Sequence, residues 1–196
     1  MWFPQWYFDT RPPSSKGSLM QKFLIAFVVL LATGFAGTAA DDPTKPSPEL
    51  LVLEDMIGIW DEVMMNKATE WTPKAEKSTT ITKRTWSLGG MFIRGEGSWQ
   101  PAKTDFLHLM SYDPLVKVYR TWYFDASGNM PRVEMIGTWD AKSKTLTHTG
   151  TDKAGNKTIS TTTIVDKDHT TWTMIVTDPD GKVVLDFTGK CTRRKE

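Results

Sequence analysis

The chain has 196 residues, with 24 basic against 23 acidic side chains and a formal charge of +1. That balance gives no electrostatic case for nucleic acid or an anionic lipid surface as a partner. Cys191 is the sole cysteine, which excludes an intrachain disulfide, so burial must supply the stability.

Residues 1–19 carry Trp2, Phe3, Trp6, Tyr7 and Phe8 without periodicity and read as an over-extended start or a long leading region. A signal peptide is expected over 20–40: Lys22, an apolar run from Phe23, then the small residues Ala36 to Ala40 before Asp41. It predicts a secreted or periplasmic protein with no stable membrane insertion once the leader is cleaved after Ala40. An N-terminal membrane anchor is the alternative, because the uncharged stretch nearly reaches the ~20 residues of a spanning helix. Cleavage removes three basic residues and one acidic one, leaving 156 residues with a formal charge of −1. That length suits one core.

Residues 41–48 are proline-rich and polar, a flexible linker, and 49–196 form the folded domain. Ser47 as N-cap and Pro48 at the first helical position predict a short helix. Leu50, Leu51, Leu53, Met56 and Ile57 give it an apolar stripe, and Gly58 closes it. From Trp60 onward the pattern is strand-like, with strands predicted at 60–66, 77–87, 90–99, 104–112, 116–125, 131–139, 144–151, 156–165, 169–177 and 182–192. These runs are rich in Thr, Val, Ile and aromatic residues. Turn chemistry separates them, as at Gly89-Gly90, Asp113-Pro114, Ser127-Gly128-Asn129, Ala154-Gly155-Asn156 and Asp178-Pro179-Asp180-Gly181.

The fold class that follows is all-β: an up-and-down antiparallel barrel of about ten strands with a short N-terminal helix, since closure removes the edges of a long meander. An open two-layer sandwich is the rival. Alternation groups Val116, Val118, Arg120, Trp122 and Phe124 on one face. Phe106, His108 and Met110 share another, as do Trp172, Met174 and Val176, and the threonines of 145–149 and 158–163 read largely as wet faces. Gly58-Ile59-Trp60, Gly97-Ser98-Trp99 and Gly137-Thr138-Trp139 recur, but their flanks do not, so no repeat is assigned.

Leu53-Glu54-Asp55-Met56-Ile57-Gly58-Ile59-Trp60, Leu88-Gly89-Gly90-Met91-Phe92-Ile93 and Ser111-Tyr112-Asp113 come in order along the chain. Tyr119-Arg120-Thr121-Trp122, Gly137-Thr138-Trp139-Asp140 and Asp178-Pro179-Asp180-Gly181-Lys182 continue the series. Together they resemble the bacterial family DUF1579, over about Leu50 to Arg194. The resemblance implies a lipocalin-like (calycin-like) barrel and no established activity. It further implies a barrel floor in which Gly58 and Trp60 meet an arginine of the last strand, Arg193 or Arg194, stacked on the indole.

No Gly-x-Ser-x-Gly, phosphate loop or His-Glu-x-x-His is present, so no catalytic residue, metal or cofactor is assigned and an enzyme is not expected. The leading expectation is a small apolar or amphipathic ligand bound inside the barrel. Arg120 is expected as an inward cation, with Glu134 or Glu96 as its protein partner, alongside Trp122, Phe106, His108, Met135 and Trp172. A solidly packed envelope barrel acting in protein contact or scaffolding is the second reading. Haem-type binding through His108 or His148 is the third; nitrobindin-like barrels ligate haem through a histidine, but their glycine-rich opening is missing here.

Overall fold

The computed structural model describes residues 46–126 and 134–195. The predicted leader, residues 1–19 and the first part of the linker lie outside the described residues, as does the predicted beginning of a strand at 131–133. Among the described residues no helix is long and apolar enough to cross a membrane.

Ser47 caps helix α1 (Pro48–Leu51), its hydroxyl accepting the Leu50 N–H at 3.1 Å. The predicted helix stops there, and a separate 3-10 turn follows at Glu54–Met56. The reason is the spacing of the residues that bury: Leu50, Leu53 and Met56 recur every third position, which matches about three residues per turn rather than 3.6. Leu51 and Val52 stay exposed.

Ten strands follow: β1 (Gly58–Asn66), β2 (Glu76–Ser87), β3 (Phe92–Trp99), β4 (Thr104–Asp113) and β5 (Val118–Asp125), then β6 (Met135–Asp140), β7 (Thr145–Thr151), β8 (Lys157–Asp166), β9 (His169–Thr177) and β10 (Val183–Arg193). Each pairs antiparallel with its chain neighbour, and β1 also pairs with β10, so the sheet closes into a barrel. The sandwich alternative is thereby excluded.

The inner face follows from Trp60. Trp60, Glu62 and Asn66 are buried on β1, while Asp61 and Met65 face out. Register then carries the inner face round the wall, because Trp60 lies opposite both Thr82 and Arg193. Leu50, Leu53 and Met56 enter the same end of the barrel and form one core with Ile93, Met110, Tyr119, Leu146 and Ile164. Burying side chains of this size stabilises by about 1.5–3 kcal/mol each. Tyr119 ties the plug to the wall by donating its hydroxyl to Glu49 O at 2.7 Å.

The outer face of β6–β10 carries threonines in register: Thr138, Thr147, Thr161, Thr173 and Thr188 lie opposite one another across five strands. Hydroxyl pairs Thr145–Thr163 (2.9 Å) and Thr161–Thr173 (2.7 Å) link neighbouring strands. Cross-strand pairs of this kind stabilise by about 0.2–1 kcal/mol. Thr158 and Thr162, expected with the wet residues, instead share the inward parity of Ile164.

Candidate functional site

The barrel floor is built from β1 and β10. Trp60 is fully buried, and its indole N–H donates to Met56 O at 2.9 Å. The Arg193 guanidinium lies 4.4 Å from the ring centroid, and that of Arg84 lies 5.3 Å away. Arg193 also donates to the carbonyls of Ile57 (2.6 Å), Asp55 (2.5 Å) and Lys167 (2.6 Å). A Cβ at Gly58 would stand 2.5 Å from Arg193 Nη1, and Gly58 has φ +134°, so glycine is required there twice over. Of the two arginines the family resemblance offered, Arg193 is the clamp. Arg194 falls one residue later, faces outward and pairs with Asp61.

Above the floor the interior turns polar. Glu62 is buried, with Thr82 Oγ1 donating to it at 2.9 Å and Trp172 Nε1 at 2.6 Å. Arg84 Nη2 lies 3.6 Å from the Glu62 carboxylate and 3.5 Å from Cys191 Sγ. His108 shares a short hydrogen bond with Thr121 Oγ1. Burial, reinforced by His148 and Arg84, holds the His108 pKa down at about 3. Burial alone brings His148 to about 4. Both imidazoles are therefore neutral near pH 7. The Cys191 thiol is pushed up, chiefly by burial, so it is not a ready nucleophile. Among the described residues, Arg84 Nη1 and His148 Nε2 are buried without a hydrogen-bond partner, while the buried Thr170 hydroxyl meets the Cys191 side chain across the strands.

Two glycines let this layer assemble. A Cβ at Gly137 would stand 2.4 Å from His148 Cδ2, and one at Gly189 would stand 2.1 Å from the Trp172 ring. Both rings occupy the space that a side chain at these positions would take.

Toward the far end the lining becomes apolar again. Met64, Met135, Met174 and Phe187 follow the inward parity of their strands yet remain only half-buried. Trp99, Phe106 and Tyr123 form a stack with centroid separations of 5.6 Å at both steps, and Trp99 Nε1 donates to Tyr123 Oη at 3.2 Å. The inward side chains thus run from a closed floor through a polar middle to a Met- and aromatic-rich upper end. Two grooves of about 440 and 410 Å³ lie elsewhere, lined largely by outward-facing residues of β1, β2, β9 and β10.

Four of the six expected ligand residues, Phe106, His108, Met135 and Trp172, face the interior. Arg120 and Trp122 do not. The inward residues of β5 are Tyr119, Thr121 and Tyr123, because Tyr119 pairs with Tyr112 and Thr121 with Met110. Arg120 lies outside, paired with Asp113 at 3.0 Å and with Glu134, one of its two expected partners, at 2.7 Å. Glu96, the other, bonds Arg94 instead. Trp122 packs outside against Phe92, centroids 6.2 Å apart. The expected inward cation exists, but it is Arg84. Val116, read as the start of that strand, is exposed in the turn before it.

Among the described residues no group of three or more His, Cys, Asp or Glu side chains stands together as a metal centre. A closed antiparallel barrel whose floor is an indole clamped by an arginine of the last strand is a lipocalin-like, calycin-type barrel.

The chain belongs to the DUF1579 family of proteins of unknown function, whose model matches residues 45–193. Its fold is similar to that of the S-type phycobiliprotein lyase CPES from Guillardia theta, at 12% identity and a TM-score of 0.53, covering 76% of this chain and 93% of that one. It is also similar to Rv2717c from M. tuberculosis, at 9% identity and a TM-score of 0.56, covering 76% of this chain and 99% of that one. At these identities the likeness is one of fold alone. No curated protein matches the chain.

Proposed function

We propose that this protein is an exported, non-enzymatic carrier or sensor that holds a small amphipathic molecule in the barrel, apolar body toward the mouth and polar end toward the Arg84 layer. The observation that carries the reading is the lining: inward-pointing Met64, Met135, Met174 and Phe187 stay half-buried. In a solidly packed scaffold barrel they would be the most buried residues of the upper half. Methionine and aromatic side chains adapt to a flexible apolar chain, as binding surfaces rich in them do. Binding rather than turnover is supported by the Thr121 hydroxyl, which stands against His108 but donates its proton to Leu109 O at 3.0 Å. Delivery outside the cytoplasm rests on the leader read at 20–40.

The test is to purify the protein from its native host under non-denaturing conditions, extract it with organic solvent and identify the extract by mass spectrometry. A stoichiometric amphipathic compound is expected, and Met135→Trp together with Met174→Trp should exclude it by filling the barrel. A protein that carries nothing and fails to bind a neutral fluorescent probe such as N-phenyl-1-naphthylamine would return the reading to a scaffold. An absorbance spectrum after haem addition covers the third reading. His108 Nε2 is engaged by Thr121 and His148 Nε2 lies against the Gly137 backbone, so no Soret shift is expected.

A further inference from the structure

The closed end of the barrel carries an aliphatic patch that the interior does not use. Leu50, Leu53 and Met56 point into the core, so Leu51 and Val52 look out of that end and stay exposed. Leu88 stands at the tip of the β2–β3 turn, 73% exposed. Its φ of +51° is a conformation that glycine or asparagine adopts more readily, so turn geometry does not account for a leucine there. Leu115 and Val116 form the tip of the β4–β5 turn, 92% and 56% exposed. Three contacts hold these elements together at one end. Ser111 Oγ donates to Met91 O at 2.8 Å, tying β4 to the β2–β3 turn. Tyr119 of β5 holds Glu49 O of α1. Pro46 packs on Gly90, where a Cβ would stand 2.7 Å from Pro46 Cγ. Turn tips are ordinarily built from Gly, Pro, Asn, Asp and Ser. Two aliphatic tips beside an aliphatic helix end are an exposed apolar surface of the kind that marks an interaction site.

We propose that this end of the barrel docks reversibly on the surface of a lipid bilayer, with Leu51, Val52, Leu88, Leu115 and Val116 entering the boundary between head groups and acyl chains. The form of the patch favours lipid over protein. It consists of projecting tips and a helix end, and none of its five side chains is an aromatic or arginine anchor of the kind that protein interfaces use. A fluid phase closes round separate tips, whereas a protein partner must match their shape. The chain also enters at this end. Pro46 sits on the β2–β3 turn, and only residues 41–45 separate it from the apolar run that ends at Ala40. A leader held in the membrane during export would therefore tether the domain by the end that carries the patch. Glu49, Glu54 and Asp55 share this end with the exposed Lys117, so the docking is apolar and does not call for anionic lipid. The five side chains together hold about as many carbons as one acyl chain, and an attachment of that size is marginal and reversible. The opposite end, with the Trp99–Phe106–Tyr123 stack, then faces away from the membrane.

The experiment places an environment-sensitive nitrobenzoxadiazole label on Leu115→Cys and, in a second protein, on Lys153→Cys in the β7–β8 turn at the opposite end, each recovered from the native host. Cys191 is 1% exposed and does not compete for the label. With neutral phosphatidylcholine vesicles the emission at position 115 should rise severalfold and shift to the blue, while that at 153 stays unchanged. Adding Leu88→Ser and Val116→Ser to the labelled Leu115→Cys protein should weaken vesicle binding by at least about tenfold. Both changes lie at exposed turn tips, and a thermal melt establishes that the variant is folded. No change at 115 overturns the assignment, and so does an equal change at both positions. Sedimentation of the unlabelled protein as a dimer that Leu115→Ser returns to monomer also overturns it, because the patch then belongs to a second copy of the chain.

Discussion

Gly189→Ala separates two opposed expectations. By backbone entropy alone, replacing a strand glycine with alanine should stabilise by about 0.5–1 kcal/mol. The structure reverses the sign. A Cβ at Gly189 would stand 2.1 Å from both Cε2 and Nε1 of Trp172, inside any tolerable contact. The indole must move, and its N–H then leaves Glu62 Oε1, where it donates at 2.6 Å. Overpacking of this kind costs about 1–3 kcal/mol, and losing a hydrogen bond to a buried carboxylate about 1.5–3. With the backbone gain set against them, the net loss should be about 2–5 kcal/mol. Urea unfolding followed by far-ultraviolet circular dichroism measures it, with an unchanged m-value showing that both states remain comparable. Trp172→Phe in the same background shortens the ring and should recover part of the loss, giving a coupling of at least about 1 kcal/mol between the two positions. A Gly189→Ala protein as stable as the parent would show that Trp172 does not lie across β10, and the account of the Glu62 layer would fall with it.

Arg193, the last residue of β10, and Arg194, just past its end, should divide sharply. Arg193→Met removes three carbonyl contacts and the stacking on Trp60, and should cost about 2–4 kcal/mol in the same urea assay. Arg194→Met should leave the melting temperature unchanged, and equal effects would refute the assignment of the clamp. Lowered folded-state pKa values for His108 (about 3) and His148 (about 4), against an ordinary 6.5, make the unfolded chain bind protons first as the pH falls. Stability should therefore be unaffected above pH 6.5, decline below it, and reach its full loss below the folded values. Each histidine should cost about 1.4 kcal/mol at pH 5.5. Urea midpoints between pH 7 and 5 check this, and a His108→Gln, His148→Gln protein with the same slope would count against it. Arg120→Ala, on the outer wall, should leave probe binding unchanged; loss of binding would restore Arg120 to the interior.

The ladder of strands was readable because β-branched and aromatic runs alternate with turn residues of unambiguous chemistry. Asp113, for instance, caps its own turn by accepting the Leu115 N–H at 3.1 Å. Closure was an argument from edges, and the β1–β10 pairing bears it out. The helix was less legible. Five apolar residues between 50 and 57 suggest a continuous stripe, and only the period of three among Leu50, Leu53 and Met56 signals a 3-10 continuation. Trp60 was recognisable as the floor from the resemblance, but choosing between Arg193 and Arg194 needed the register that sets Arg193 opposite Trp60.

The interior was misread at β5 for a physical reason. Hydrophobicity chose Val118, Trp122 and Phe124 as the inward set and carried Arg120 with them, whereas the wall there is apolar outside and polar inside. Counting by twos from Trp60 would have reached Glu62, and the same counting along β2 places Arg84 with Thr80 and Thr82. What a single strand cannot supply is register across hairpins, and a slip of one residue exchanges the two faces. That inversion is itself informative. A buried Glu62–Arg84 pair costs desolvation that a leucine–methionine pair of similar volume would avoid, so fold stability does not account for it. On the proposed reading a bound ligand offsets part of that cost, which makes Glu62 and Arg84, rather than the outward face of β5, the residues to test.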